Sequence, residues 1–171
     1  PLTEYLIDDA LLIVRRMWDE GLAHRDVKPA NVMVAEGRVR IIDVAFGTIR
    51  PTPWRQAVDL ANMMLVLSLN ASPELVYERA LQFFAPEDIA EAFAATRGIT
   101  MPRQLSAELK AHQREDGIDR LAEFRRLAPH AEPVSIQRWS WRRILLALGA
   151  LTGGLILLSL ILDSIQGRGL L

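Results

Sequence analysis

The chain has 171 residues, half of them hydrophobic, and a formal net charge of −1 at pH 7. This length predicts one domain, or one domain with an appendage. The near-neutral charge gives no overall nucleic-acid signature, so a nucleic-acid partner is not expected. The sequence contains no cysteine, which excludes disulfides, cysteine metal sites and thiol nucleophiles.

The N-terminal third predicts a helix, a polar loop and a hairpin. Apolar residues at helical spacing predict a helix over Leu2–Leu22, with Gly21 as a left-handed cap at its end. Beyond the loop, short strands are expected at Val32–Val34 and Val39–Ile42, on either side of a glycine-containing turn. The prolines of residues 48–55 predict another loop.

The remainder of the globular part reads as a series of helices. Gln56–Leu69 is almost wholly apolar, which is typical of a helix in the centre of a core. Ser72 and Pro86, each followed by first-turn acids, mark the starts of the next two helices. A more charged helical stretch runs from Pro102 to Leu127 and is expected to break near Gly117.

The C-terminal part has a different composition. Residues 144–162 carry no charge and would form a helix of about 28 Å, close to the thickness of a bilayer core. Residues 128–143 read as a linker and a basic, tryptophan-containing juxtamembrane segment, and residues 163–171 read as a tail. The sequence therefore predicts a single-pass membrane protein with its domain on the cytoplasmic side; a buried C-terminal helix is the alternative.

The polar loop contains a set of side chains suited to phosphoryl transfer. Asp26 and Asn31 lie in the stretch "HRDVKPAN", and Asp43 follows the second predicted strand, so three oxygen-bearing groups are expected to converge there. Carboxylate and amide oxygens are ligands that Mg²⁺ prefers, and Lys28 suits a phosphate as a point charge. The remaining carboxylate can orient a hydroxyl and accept its proton.

"HRDVKPAN" resembles the catalytic loop of the eukaryotic-type protein kinases, whose pattern is H-R-D-x-K-P-x-N. "IIDVAFG" lies where those kinases carry a strand-ending aspartate. The resemblance implies that Asp26 is the catalytic base and that Lys28 contacts the transferred phosphate of ATP. It also implies that Asn31 and Asp43 hold Mg²⁺.

The same resemblance gives three further residues a supporting role. It implies that His24 and Arg25 mainly shape the loop. Asp59, inside the apolar helix, resembles the family aspartate that holds the catalytic loop from below, since a buried carboxylate needs hydrogen-bond partners. The fold class that follows is mainly α: a kinase-like C-terminal lobe over residues 1–127, with one short β-hairpin, followed by a transmembrane helix.

The sequence also departs from the kinase pattern. Val44-Ala45 stand after Asp43 in place of Phe-Gly, and the segment from Asp43 to Asp59 is short, as in the compact RIO-type, lipopolysaccharide and aminoglycoside kinases. No glycine-rich loop or strand lysine precedes the catalytic loop. The chain therefore resembles a C-lobe only, and its N-lobe is expected either ahead of Pro1 in a longer protein or not at all.

These observations leave two functions open. The first is a membrane-anchored, ATP- and Mg²⁺-dependent phosphotransferase whose acceptor is a hydroxyl of a protein, a lipid or a lipid-linked sugar. The alternative is a pseudokinase-type module that senses nucleotide or docks a partner and regulates a membrane protein. In either case the isolated chain, without an N-lobe, is expected to be inactive.

Overall fold

The computed structural model describes residues 2–96, 100–129, 145, 148–156, 158 and 162. The chain divides into two units, Pro1–Val134 and Ser135–Leu171, and the first is mainly helical. Its elements are α1 (Glu4–Asp19), β1 (Leu22–Ala23), β2 (Val32–Ala35), β3 (Arg38–Ile41), β4 (Thr48–Ile49), α2 (Pro53–Ser68), α3 (Pro73–Ala80), α4 (Pro86–Ala95), α5 (Arg103–Asp116) and α6 (Arg120–Leu127).

The first helix begins and ends inside its predicted range. Thr3 caps the N-terminus of α1, because its Oγ1 accepts a hydrogen bond from the Leu6 N–H at 3.4 Å. Gly21 has φ +64°, so it turns the chain out of the helix in the left-handed conformation that glycine adopts without steric cost. The chain then enters β1 and the polar loop.

The predicted hairpin is confirmed. Strands β2 and β3 pair antiparallel from Val32 opposite Ile41 to Ala35 opposite Arg38. Glu36 and Gly37 connect them with φ values of 54° and 71°, the two left-handed residues of a turn whose twist matches that of the strands. A second antiparallel ladder, β1 with β4, was not predicted; it pairs Leu22 with Ile49 and Ala23 with Thr48.

Helix α2 is the centre of the core, as its composition predicted. It is buried from Ala57 to its end and contacts α1, α3, α4, α5 and α6. It begins at Pro53, three residues before the predicted start at Gln56, because proline fits the first turn of a helix, where no backbone donor is needed. Around α2, the rings of Phe93 and Phe124 stack at 4.7 Å and join α4 to α6.

The later helix boundaries also follow local signals. Ser72 Oγ accepts the Leu75 N–H at 3.2 Å and caps α3, as the sequence predicted. The break predicted near Gly117 separates α5 from α6, and this glycine has φ +77°. Each of these two residues has a conformation or a hydrogen bond that its residue type favours.

The predicted transmembrane helix over 144–162 is wrong. Within the residues that the structure describes, no helix is both long and apolar enough to cross a membrane. The predicted single-pass membrane localisation is wrong for the same reason. Residues 130–143 of the predicted linker and the tail 163–171 lie outside the described residues.

Candidate functional site

The polar loop rests on a buried carboxylate of the central helix. Asp59, only 1% exposed, accepts the His24 N–H at 2.5 Å through Oδ2 and the Arg25 N–H at 2.9 Å through Oδ1. Burial raises the pKa of Asp59 to about 6, although the two backbone hydrogen bonds oppose that rise. The contact ties the start of the loop to α2, the most buried helix of the described chain.

Three of the predicted site residues meet directly. The Lys28 ammonium donates to Asp26 Oδ2 at 2.5 Å. The Asn31 amide donates to the same oxygen at 3.1 Å and to the Asp26 backbone carbonyl at 2.9 Å. Val27, fully buried, anchors the loop between them. The loop therefore brings a carboxylate, a cation and an amide to one point, with Asp26 and Lys28 both partly exposed.

Asp43 is connected to this cluster through the backbone of its neighbour Ile42. The Ile42 N–H donates to the Asn31 carbonyl at 2.9 Å, and the His24 ring Nε2 lies 3.0 Å from the Ile42 carbonyl. A carbonyl can only accept, so Nε2 carries the proton and Nδ1 is left to accept the Asp26 N–H at 3.4 Å. His24 thus links the loop that carries Asp26 to the strand end that carries Asp43.

The Asp43 backbone has an uncommon conformation. Its φ and ψ are 62° and 66°, in the left-handed region that only glycine, asparagine and aspartate visit readily. The side chain is exposed and forms no hydrogen bond with any described residue. One turn of 3₁₀ helix, Val44–Phe46, follows it. The structure therefore presents the Asp43 carboxylate to solvent, without a described hydrogen bond or ion pair to Asp26, Lys28 or Asn31.

Arg25 joins the loop to the segment that follows Asp43. Its guanidinium Nη1 donates to Thr48 Oγ1 at 3.2 Å and to the Phe46 carbonyl at 3.5 Å. Its φ of 70° is also left-handed, so residues on both sides of the site have backbone conformations that cost energy for a side chain. Such conformations persist where surrounding contacts hold the backbone in place. Here the hydrogen bond from the Arg25 N–H to Asp59 does so.

Two side chains of this region keep oxygen atoms that have no described partner. The Asn31 amide nitrogen Nδ2 donates both of its hydrogen bonds to Asp26, and the Asn31 Oδ1 receives no hydrogen bond from the described residues. The Asp43 carboxylate is similarly without a described partner. Among the described residues, no group of three or more histidine, cysteine, aspartate or glutamate side chains is arranged to hold a metal ion. One carboxylate and one amide suit Mg²⁺, which takes few protein ligands and completes its shell with phosphate and water.

Sequence reasoning missed Asp9, a carboxylate of α1 that is 6% exposed. It accepts two hydrogen bonds from the Arg38 Nε at 3.1 Å, another from Arg38 Nη2 at 2.6 Å, and the Val39 N–H at 2.7 Å. The Arg38 guanidinium lowers the pKa of this carboxyl. The signal was present in the sequence: an aspartate on the apolar face of a helix, as at Asp59.

Comparison of the chain with models of protein families, with curated proteins and with solved structures gives no match.

Proposed function

We propose that this chain is the C-terminal lobe of a kinase-like phosphotransferase, which moves the terminal phosphoryl group of ATP to a hydroxyl. One observation supports this most: Lys28 and Asn31 both hydrogen-bond to Asp26 Oδ2, at 2.5 and 3.1 Å. Phosphoryl transfer needs a base, a cation and a metal-binding oxygen in fixed positions, because catalysis is mostly positioning and electrostatics. The resemblance of "HRDVKPAN" to the kinase catalytic loop agrees with that arrangement.

In this reaction Asp26 acts on the acceptor. The hydroxyl oxygen forms a bond to the terminal phosphorus, the bond from that phosphorus to the bridging oxygen of ADP breaks, and the hydroxyl proton passes to Asp26. Its Oδ1 is suited to that proton, because the two described hydrogen bonds to the side chain both go to Oδ2. Lys28 reaches the transferred phosphate from the adjacent position.

Asn31 and Asp43 would hold the metal. Asn31 Oδ1 and the Asp43 carboxylate are the oxygens left available, and Mg²⁺ bound there neutralises charge on the phosphate oxygens of ATP. The amide hydrogens keep Asn31 fixed to Asp26, so a single side chain would connect the base with the metal. His24 and Asp59 position these groups through the backbone and do not touch the substrate.

The test replaces Asp43 with asparagine in the full-length protein that contains this chain. Asparagine tolerates the left-handed backbone of this position, so the change removes the charge without adding strain, which alanine would not achieve. We expect the Mg²⁺-dependent formation of ADP from ATP to fall by about a hundredfold or more. Asp19→Asn is the matched control, an exposed aspartate on α1. If Asp43→Asn and the parent protein form ADP at equal rates, Asp43 does not bind the metal.

A second candidate function is nucleotide binding without turnover. It is favoured by the turn after Asp43, where Val44-Ala45 stand in place of the kinase Phe-Gly pair and where Val44 and Phe46 are 71% and 59% exposed. The same assay separates the two. If the parent protein binds Mg²⁺ and ATP, measured by calorimetry, but forms no ADP with any acceptor hydroxyl or with water, the sensing or docking module is the function.

A further inference from the structure

Helix α5 carries three cations on one face. Arg103, Lys110 and Arg114 are all exposed, and none forms an ion pair with a described residue. At about 100° per residue, they lie within an arc of roughly 40° around the helix axis. We call these three residues the basic stripe. The acids of the helix, Glu108 and Glu115 among them, lie about 100° or more away from it.

The basic stripe borders two clefts of about 320 Å³ each, which share the lining residues Met101, Ser106 and Lys110. One lies along the stripe itself and includes Arg103 and Arg114. The other opens between α5 and the start of α6, and Leu109 and Leu121 supply its apolar lining. Lys110 therefore stands between a cationic surface and an aliphatic notch.

The nearby charges do not cancel the stripe. Asp119 lines the notch, but its Oδ1 accepts the Ala122 N–H at 3.0 Å and caps α6. Arg120, also in the notch, forms an ion pair with Asp116 at 2.6 Å and donates to the Ser68 carbonyl at 2.7 Å. Arg120 is therefore paired, and the unpaired charges of this surface are the three cations of the stripe and the single carboxylate of Asp119, which leaves an excess of positive charge.

We infer that the basic stripe and the notch form a docking site for an acidic, amphipathic peptide segment of a partner protein. The cations are spaced by about 10 Å and 6 Å along the helix, and carboxylates on alternate residues of an extended peptide repeat at about 7 Å. The notch takes an aliphatic side chain of the same segment. This inference is independent of the phosphotransfer proposed above, because no residue of that site lines either cleft.

The chemistry of the surface favours a peptide over a nucleic acid. Neither cleft is lined by an aromatic side chain, so no platform exists there for stacking a base. Local cations beside an aliphatic notch match a short segment that carries both carboxylates and apolar side chains.

The probe for this site is a fluorescein-labelled peptide of alternating glutamate and leucine, titrated with the full chain at low salt and followed by anisotropy. We expect saturable binding that weakens as salt is added. The triple variant Arg103→Gln, Lys110→Gln, Arg114→Gln should bind about tenfold more weakly. A peptide of alternating glutamate and serine should also bind more weakly, because it has nothing to place in the notch.

The matched control is Arg16→Gln, Arg40→Gln, Arg50→Gln, which removes three exposed cations outside α5 and changes the net charge equally. It should alter the affinity by less than about twofold. If both triple variants lose affinity for the peptide equally, the binding is a general effect of net charge and the proposed site is wrong. Tighter binding of an oligothymidylate than of the peptide would make nucleic acid the ligand, and failure of the parent chain to bind the peptide would exclude the site. Unfolding midpoints of all three proteins verify that the exposed substitutions leave the fold intact.

Discussion

Asp59 is the residue whose protonation most directly affects the fold. Its pKa is raised from 3.8 to about 6 in the folded state, and the first cause is burial. The folded state therefore binds the proton more tightly than the unfolded chain. The free energy of unfolding should fall as pH rises from 4 to 6, by about 2 kcal/mol from this group alone.

Asp59→Asn tests this pH dependence. We expect the difference in unfolding free energy between the parent chain and the variant to decrease by about 2 kcal/mol from pH 4 to pH 7. Denaturant unfolding at four pH values across that range measures it. A difference that grows with pH would mean that the hydrogen bonds from His24 and Arg25 outweigh burial and hold the carboxylate charged.

Other aspartates titrate in a separate range. The guanidiniums of Arg38 and Arg15 lower the pKa values of Asp9 and Asp19, so their contributions are lost only as pH falls below about 3.8. Asp19→Asn is therefore the control for the Asp59 experiment. Its difference from the parent chain should stay constant from pH 4 to pH 7.

At the scale of elements, Asp9 fixes the hairpin against α1. It accepts hydrogen bonds from the side chain of Arg38 and from the Val39 N–H, both in β3. Asp9→Ala leaves the buried Val39 N–H without an acceptor, and we expect a loss of about 2 kcal/mol in the free energy of unfolding. Hydrogen exchange should also accelerate at the hairpin amides, because the clamp on β3 is gone.

A neighbouring ion pair provides the control for that experiment. Arg40 and Glu36 pair at 3.0 Å on the exposed side of the same hairpin, where solvent screens both charges. Arg40→Ala should leave the stability and the hairpin exchange rates close to those of the parent chain. If Asp9→Ala and Arg40→Ala behave alike, the hairpin is held by its apolar contacts and not by Asp9.

Elements whose signals lie in neighbouring residues could be predicted from the sequence. The hairpin, the Ser72 cap and the Gly117 break each depend on a short local sequence, and the structure contains all three. The β1–β4 ladder joins residues 22 and 49, so no local pattern announces it. Pro53 was read as a loop residue because proline both breaks helices and begins them, and only tertiary contacts decide which.

The candidate site was predictable in part for the same reason. Asp26, Lys28 and Asn31 lie within one short loop, so the motif alone brought them together. The hydrogen bonds of Asp9 to Arg38 and Val39 span about thirty residues and were not foreseen. The membrane prediction rested on the length of an uncharged stretch, and within the described residues no helix is long and apolar enough to cross a membrane.

For the whole molecule, stability depends on α2. Leu60 is fully buried in this helix, which contacts five other helices, so a cavity there weakens the common core. We expect Leu60→Ala to lower the free energy of unfolding by about 3 kcal/mol. Leu81→Ala removes the same atoms from a side chain that is 42% exposed and should cost much less. Thermal unfolding of both variants measures the difference; equal losses would place the centre of the core elsewhere.

The β1–β4 ladder determines how much chain the site needs. It closes residues 24–47 into a loop whose two ends are hydrogen-bonded to each other, and all the proposed catalytic residues lie inside that loop. The support beneath it, Asp59, lies outside. A synthetic peptide carrying the motif from His24 to Asp43 would keep every proposed catalytic side chain but lose both the closing strand and the carboxylate below. The motif sequence alone is therefore not sufficient for the site, because its geometry depends on contacts with the rest of the helical unit.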